Sequence, residues 1–275
     1  MNARGVAAWS GACLFIVLFT PNPAYKGLVL VAALAALATG VGLGKMRVLL
    51  TGVALIAAFA VVLNFISAHL GSTVLFALPA NIPGVGGPYT LEALAYGVSG
   101  GVTIAAAILA AAPLSLMLKT HEVMDALPSA FSRTGAAIAA SLNLVPAVAA
   151  SFVQVGEAQR LRGWRPRGPR SWAEVVVPVV LTSVEGSIQL AESMEARGFG
   201  SGARTSLRSA AMRPSDWVLV TASTMAAAGF VAARGLGWAA DWAPYPTLAL
   251  PAVDLRAVVL CLLLFTPVAL WRSRA

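Results

Sequence analysis

The chain has 275 residues, of which 59% are hydrophobic and only 11% charged, with a mean hydropathy of +0.81. Ordinary soluble domains carry about 25% charged residues, so a water-soluble globule is excluded and an integral membrane protein with several spans is indicated. The formal net charge of +8 then reports orientation in a bilayer rather than nucleic-acid binding, and the two cysteines, Cys13 and Cys261, lie inside apolar runs that suggest neither a disulfide framework nor a metal knuckle.

The first apolar run, Val6 to Phe19, follows a lone Arg4 and has the length of a signal-peptide core. Its exit, Thr20-Pro21-Asn22-Pro23-Ala24-Tyr25-Lys26, lacks a small-x-small cleavage site, and a second run begins at once. It therefore reads as a short first span and a tight proline-rich turn. The second span covers about Leu28 to Leu43 and closes at Gly44-Lys45-Met46-Arg47. That turn is not a phosphate-binding loop, because Thr39 stands where the first glycine belongs and Met46 where a hydroxyl would hold magnesium. Val48 to Ile66 makes a third span. Ser67 to Pro88 reads as a Gly- and Pro-rich loop without Lys or Arg, in which His69 is a solvated histidine. Thr90-Leu91-Glu92 opens a long helix to about Leu118, with Glu92 where the helix dipole favours a carboxylate.

Past Lys119 the character changes. Val123, Met124, Leu127 and Phe131 fall at helical spacing among Glu122, Asp125, Ser129 and Arg133, the pattern of a short amphipathic helix at the interface. Two long helices follow, roughly Gly135 to Arg162 and Trp172 to Arg197, with Pro146 and Pro178 expected to bend them. Ser171-Trp172-Ala173-Glu174 has the form of a capping box. Glu174, Glu185 and Glu192 fall within about 20° of one line on the second helix, and Asn143, Gln154 and Glu157 make a similar stripe on the first. Helices marked this way are not expected to be ringed by lipid.

Each long helix ends in the same phrase. Glu157-Ala158-Gln159-Arg160-Leu161-Arg162-Gly163-Trp164 recurs 35 residues later as Glu192-Ser193-Met194-Glu195-Ala196-Arg197-Gly198-Phe199. Arginine in the last turn complements the negative end of the dipole, and glycine after it supplies a left-handed cap. Two ordinary capped helix ends would explain either copy alone; their agreement points to a shared role. Gln159 to Arg213 holds nine arginines and no lysine, among them Arg165, Arg167, Arg170, Arg204 and Arg208. A further span covers about Trp217 to Ala233. The loop from Gly235 to Pro251, with Trp238, Trp242 and Tyr245 and no basic residue, suits an outer aromatic belt. A last span runs from about Leu255 to Leu270.

With the N-terminus inside and six spans, sixteen of the nineteen Lys and Arg residues fall on the inner side, leaving Lys26, Arg234 and Arg256 outside or at that edge. This satisfies the positive-inside rule. The parity requires that neither long helix makes a single full crossing, so they are expected to form a hairpin in or under the inner leaflet. The spans lack a His-Glu-x-x-His helix and the clustered aspartates of a prenyl transferase, and apart from Glu92 they lack ionisable residues for a proton relay. What remains is a pair of stiff helices tipped with arginine, whose planar fork suits carboxylates in a partner's groove.

At this point the sequence resembles the transmembrane T component of energy-coupling factor (ECF) transporters, the ATP-driven importers of vitamins and transition-metal ions such as cobalt and nickel. The likeness is carried by Thr90-Leu-Glu-Ala-Leu-Ala-Tyr-Gly97, Ala126-Leu-Pro128, Ser141-Leu-Asn-Leu-Val-Pro146 and Glu157-Ala-Gln-Arg-Leu-Arg-Gly163. It is most specific at Ala191-Glu-Ser-Met-Glu-Ala-Arg-Gly-Phe-Gly200 followed by Arg204-Thr205. The family's Ala-Arg-Gly signature falls on Ala196, Arg197 and Gly198, and a looser copy on Leu161, Arg162 and Gly163, with leucine in place of the small residue.

The resemblance implies an all-α membrane protein of about six transmembrane helices plus a cytoplasmic hairpin of coupling helices. Residues 1–118 would form N-terminal spans, 119–213 the coupling region and 214–275 a C-terminal transmembrane hairpin. Arg162, Gly163, Ala196, Arg197 and Gly198 would dock on a pair of ABC ATPases, supported by Glu157, Ala158, Glu192, Met194 and Glu195. A separate substrate-capture (S) subunit would bind the cargo, and the chain itself would need no cofactor, since ATP is held by the partner ATPases. It would sit in the bacterial cytoplasmic membrane with both termini inside. The alternatives are a conventional ABC permease that forms the translocation path itself, with one short coupling helix, and a membrane enzyme, for which the sequence offers no catalytic constellation.

Overall fold

Helices form along the apolar runs because a backbone taken into lipid has to satisfy its own hydrogen bonds. In the computed structural model the chain forms α1 (Ala3–Phe19), α2 (Pro23–Gly40), α3 (Leu43–Ser67), the strands β1 (Val74–Leu78) and β2 (Gly87–Thr90), and α4 (Leu91–Leu116). After these come α5 (Ser132–Leu161), α6 (Ala173–Ala196), α7 (Pro214–Gly235), α8 (Leu255–Leu262) and α9 (Thr266–Arg272). The structure describes residues 2–40, 43–79, 86–118, 132–166, 168–199 and 212–272. The amphipathic stretch around Val123, Met124 and Phe131, and the basic residues Lys119, Arg167, Arg204 and Arg208, lie outside the described residues.

Among the described residues five helical stretches are long and apolar enough to cross a membrane: Pro23–Gly40, Gly44–Ser67, Leu91–Leu116, Arg170–Ala196 and Pro214–Gly235. Two shorter apolar stretches, Ala3–Phe19 and Leu255–Leu270, fall where the first and last spans are expected from the sequence. The fold is that of an all-α membrane protein. Arg170–Ala196 is the addition: it was expected as one arm of a hairpin, yet its valines and leucines make it apolar enough to span by length and composition alone.

Two compact units divide the chain, Met1–Ala126 with Ala210–Ala275, and Leu127–Ser209. In the first, α1, α2, α4 and α7 surround a core of small side chains. Ala32, Ala33, Ala36, Ala106, Ala110 and Ala226 are fully buried, which lets the helix backbones approach closely without large voids. Larger residues lock the ends. Trp9 Nε1 donates to the Leu264 carbonyl at 2.8 Å, where Pro267 lacks an N–H for the helical ladder and the chain tightens into a 3-10 turn over Leu263–Phe265. The last span is therefore broken into α8 and α9. Tyr25 packs edge-on against Phe230 at 5.6 Å and its hydroxyl accepts from the Asp254 N–H at 3.0 Å. Asn22 Nδ2 donates to the carbonyls of Ala240 and Ala252, tying the turn after α1 to the segment before α8. Asp216 accepts from the N–H groups of Asn2 and Arg213, fastening the start of α1 to the start of α7.

The segment after α3 corrects the expectation of a plain loop. β1 and β2 pair antiparallel, with Phe76 opposite Tyr89 and Leu78 opposite Gly87. Phe76 stacks on Tyr89 at 4.7 Å, and Phe65 lies against both rings. His69 is not a solvated histidine: it is half-buried, edge-on to Tyr89, and its Nδ1 is buried without a hydrogen-bond partner among the described residues. Glu92 does more than answer a dipole. It is fully buried, and its carboxylate accepts from Ser72 Oγ and from the Thr73 N–H, while Thr90 caps α4 at the Ala93 N–H and donates to the Leu70 carbonyl. The hairpin is thus pinned to the first turn of α4. The spanning helices also hold more ionisable residues than expected, because they begin earlier or end later than the apolar runs: α2 takes in Lys26, α3 takes in Lys45 and Arg47, and α7 takes in Asp216 and Arg234.

α3 packs on α4 through glycine. A Cβ on Gly101 would stand 2.9 Å from Val61 Cγ2 and 3.1 Å from the Ala57 carbonyl oxygen. The backbone oxygen cannot move aside without disturbing α3. Gly101→Leu is therefore expected to push α3 off α4 and to cost about 1–3 kcal/mol. Thermal unfolding in detergent checks this against Gly100→Ala, whose Cβ would meet nothing within 4 Å.

Candidate functional site

The second unit holds both copies of the repeated phrase. α5 ends at Leu161, and Gly163 follows with φ +89°. The Gly163 N–H bonds the Arg160 carbonyl at 3.0 Å and the Trp164 N–H bonds Gln159 at 2.9 Å. α6 ends at Ala196, and Gly198 has φ +74°. Its N–H bonds Glu195 at 2.8 Å, and the Phe199 N–H bonds Met194 at 2.9 Å. Both ends are the same two-bond glycine cap, in which arginine is the cap residue and an aromatic follows the glycine. The positive φ explains why glycine recurs, since a β-branched residue is a steric outlier there. Gly198→Val is expected to fray the last turn of α6, at about 1–2 kcal/mol. Amide exchange from Ser193 to Phe199 should quicken, whereas Gly186→Ala, mid-helix with open space around its Cβ, should not quicken it.

The caps leave their arginines outward. Arg162 and Arg197 are exposed, and neither guanidinium has a hydrogen-bond or ion-pair partner among the described residues. Beside each stands an apolar residue that water should not favour: Leu161 is 91% exposed and Phe199 39%. Ala158, Glu157, Glu192, Glu195 and Ala196 are exposed too, and Met194 is half-buried. No ion pair joins these glutamates to the arginines among the described residues, as the five-residue spacing from Glu157 to Arg162 and from Glu192 to Arg197 would lead one to expect.

α7 provides an internal comparison. It ends with the same kind of cap, at Gly237 (φ +77°), with the Gly237 N–H on the Arg234 carbonyl and the Trp238 N–H on Ala233. There the arginine is used inside the fold. Arg234 pairs with Asp241 at 2.9 Å, donates to the Phe19 carbonyl and lies 4.8 Å over the Phe19 ring. Here Leu236 is the cap residue and Arg234 stands three residues before the glycine, the place that Arg160 holds in α5; Arg162 and Arg197 are themselves the cap residues, and nothing described engages them.

The connection from α5 to α6 fixes where the two ends lie. Gln159 Nε2 donates to the Glu174 carbonyl at 3.1 Å, Trp164 Nε1 donates to the Ser171 carbonyl at 2.9 Å, and Trp164 meets Trp172 edge-on at 5.6 Å. The end of α5 therefore abuts the start of α6. The capping box expected at Ser171 does not form: Pro169–Trp172 makes a 3-10 turn, the Ser171 hydroxyl turns back onto the Gly168 carbonyl at 2.8 Å, and α6 starts one residue after Trp172. A cavity of about 300 Å³ lies here, lined by Phe152, Val153, Glu157, Arg160, Trp164 and Trp172 among others. Since α6 has 24 residues, the two tips sit at its opposite ends, roughly 36 Å apart at 1.5 Å per residue. They form two sites, not one. Glu174, Glu185 and Glu192 are all exposed along the helix between them.

Sequence reasoning named the two arginines and their glycines. It did not single out Leu161 as an exposed apolar neighbour, although its departure from the family's small residue was the signal for it. It also missed the Trp164–Trp172 contact that sets the hairpin.

A family model described as CbiQ, cobalt transport protein, matches residues 1–207, a range that includes both tips. No curated protein matches the chain.

Proposed function

We propose, because this chain belongs to the CbiQ family of cobalt transport proteins, the T-component family of ECF transporters, that it couples ATP hydrolysis by partner ATPases to import by a separate substrate-binding subunit. It is a membrane transport component. The observation that carries the finer reading is the pair of outward arginines, each on a rigid glycine cap beside an exposed apolar residue and without an internal partner among the described residues. An arginine and an apolar neighbour at a helix tip are what a groove with carboxylates at its rim would take up. Two tips a helix length apart suit two copies of an ATPase, one tip each. A conventional permease with one short coupling helix has no need of the second.

In this reading, nucleotide-driven closure of the ATPase pair moves the two tips, and the rigid helices pass that movement to the substrate-binding subunit. Cobalt is the favoured cargo, since the family is described by it. The cargo is held by the other subunit, and ATP by the ATPases. The chain lies in a bacterial cytoplasmic membrane with both termini inside, supported by the distribution of Lys and Arg.

The test is reconstitution of the chain with its ATPase pair and substrate-binding subunit in vesicles. ATP-dependent cobalt uptake that is lost when this chain alone is omitted supports the reading, and uptake that persists without it removes the coupling role. Orientation is checked by cysteine labelling of intact cells from outside. Positions near Gly86 and Trp242 should label, and positions near Arg165 should not.

A further inference from the structure

The first unit contains a cavity of about 340 Å³ at the end of the bundle where α2 and α4 begin. Lys26, Tyr96, Ser99, Thr103, Ile104 and Trp242 line it. Lys26 is the residue that packing does not explain. It lies in the first turn of α2, where the partial positive charge of the helix end disfavours a cation. It is only 8% exposed, and its side chain makes no hydrogen bond or ion pair with any described residue. A lysine at a membrane interface ordinarily extends its ammonium to water. Here the side chain is enclosed, and an ammonium withdrawn from water without a counter-charge is costly.

The groups around it are donors. Ser99 is 5% exposed, and its hydroxyl has no partner among the described residues. Tyr96 brings a phenol, with its ring 5.9 Å from that of Tyr245. Trp242 Nε1 is already used, donating to the Ala249 carbonyl at 2.7 Å, and the Thr103 hydroxyl donates to the Ser99 carbonyl at 2.7 Å. An ammonium and two hydroxyls with no acceptor supplied call for an anion rich in acceptor oxygens. The aromatic company of Tyr96, Trp242 and Tyr245 is that of the headgroup level of a bilayer, while Ile104 and Pro21 offer an apolar wall to the carbon next to the charge.

We propose that this cavity binds the phosphate of an anionic phospholipid, with Lys26 as counter-ion and Ser99 and Tyr96 as hydrogen-bond donors. The bound headgroup neutralises Lys26 and fills the space between α2 and α4. The inference does not depend on docking of the arginine tips.

The test uses the full-length protein in phosphatidylcholine nanodiscs, titrated with phosphatidylglycerol and read by native mass spectrometry. Phosphatidylglycerol should remain bound where phosphatidylcholine does not, and inorganic phosphate in a second arm should displace it. Lys26→Met should lower retention about tenfold or more, and Lys26→Arg should keep most of it. Thermal unfolding establishes that the variants fold. Equal retention by Lys26→Met overturns the proposal. Binding of inorganic phosphate without any retained lipid overturns the lipid source. A variant that alters only co-purification of the substrate-binding subunit would mark Lys26 as the partner of a protein carboxylate, and that too overturns it.

Discussion

Replacing Arg162 and Arg197 together by alanine is expected to abolish co-purification of the ATPase pair while membrane expression stays at the wild-type level. Each guanidinium is exposed and unengaged within the described residues, so its removal should leave the hairpin itself intact. At an interface the loss is different, because a carboxylate buried by docking is left without its partner. That costs about 2–5 kcal/mol per tip, at least roughly thirtyfold in affinity. One tip lost should weaken assembly or uncouple hydrolysis from uptake, with Arg197→Ala the more severe because Ala196-Arg197-Gly198 is the closer match to the family signature. Arg208→Ala, in the same basic stretch but outside both phrases, serves as the control. Arg234→Ala makes a second comparison: it should lower thermal stability, since it removes the Asp241 pair and the Phe19 contacts, and leave assembly unchanged at permissive temperature. Assembly of the double variant at the level of the Arg208 control would reduce the basic stretch to a topology signal.

The second large effect is expected at Glu92. Its carboxylate holds Ser72 and the Thr73 N–H, and it lies against Gly71, where a Cβ would come within 2.5 Å of Oε2. Gly71 has φ +138°, so the chain turns here only because no side chain intervenes. Glu92→Leu removes the acceptor that Ser72 and the Thr73 N–H share, and with it the hydrogen bonds that tie this turn to α4. The β1–β2 hairpin should come loose from α4. Amide exchange from Thr73 to Leu78 should quicken strongly and the melting temperature fall by several degrees. Glu92→Gln keeps one acceptor oxygen and should fall between wild type and Glu92→Leu. Unchanged exchange across β1 in Glu92→Leu would mean that the Phe65, Phe76 and Tyr89 cluster alone holds the hairpin.

The spans were legible because twenty or so apolar residues in lipid have few conformations open to them, and the helix ends were legible because glycine is nearly alone in tolerating the left-handed cap. Arg162, Gly163, Arg197 and Gly198 could therefore be named from spacing. The hairpin of Val74–Leu78 and Gly87–Thr90 could not. Its five consecutive apolar residues have no alternation to betray a strand, and its order comes from Tyr89 and Glu92 across the fold. Ser171 looked like a helix cap by local pattern, but a neighbouring proline and the Trp164 contact set a different start. Lys26 was counted only as a charge near an edge, and its enclosure depends on Tyr96, Ser99 and Trp242, which lie far from it in sequence. Arg234-Gly235 repeats the Arg-Gly pair at the end of a third helix. Only the folded chain separates Arg234, engaged by Asp241 and Phe19, from Arg162 and Arg197.

The most direct measurement is cross-linking from the tips in the assembled complex. With Cys13 and Cys261, both buried, replaced by alanine, single cysteines are placed at Leu161 and Phe199, beside the arginines. Each should cross-link to an ATPase subunit, and the two together should capture two ATPases on one chain, with yield falling on addition of a nucleotide that releases the grooves. A cysteine at Gly186, midway along α6, should not. Cross-links to the ATPases from position 186 in place of 161 and 199, or from neither tip, would contradict docking by the arginine ends.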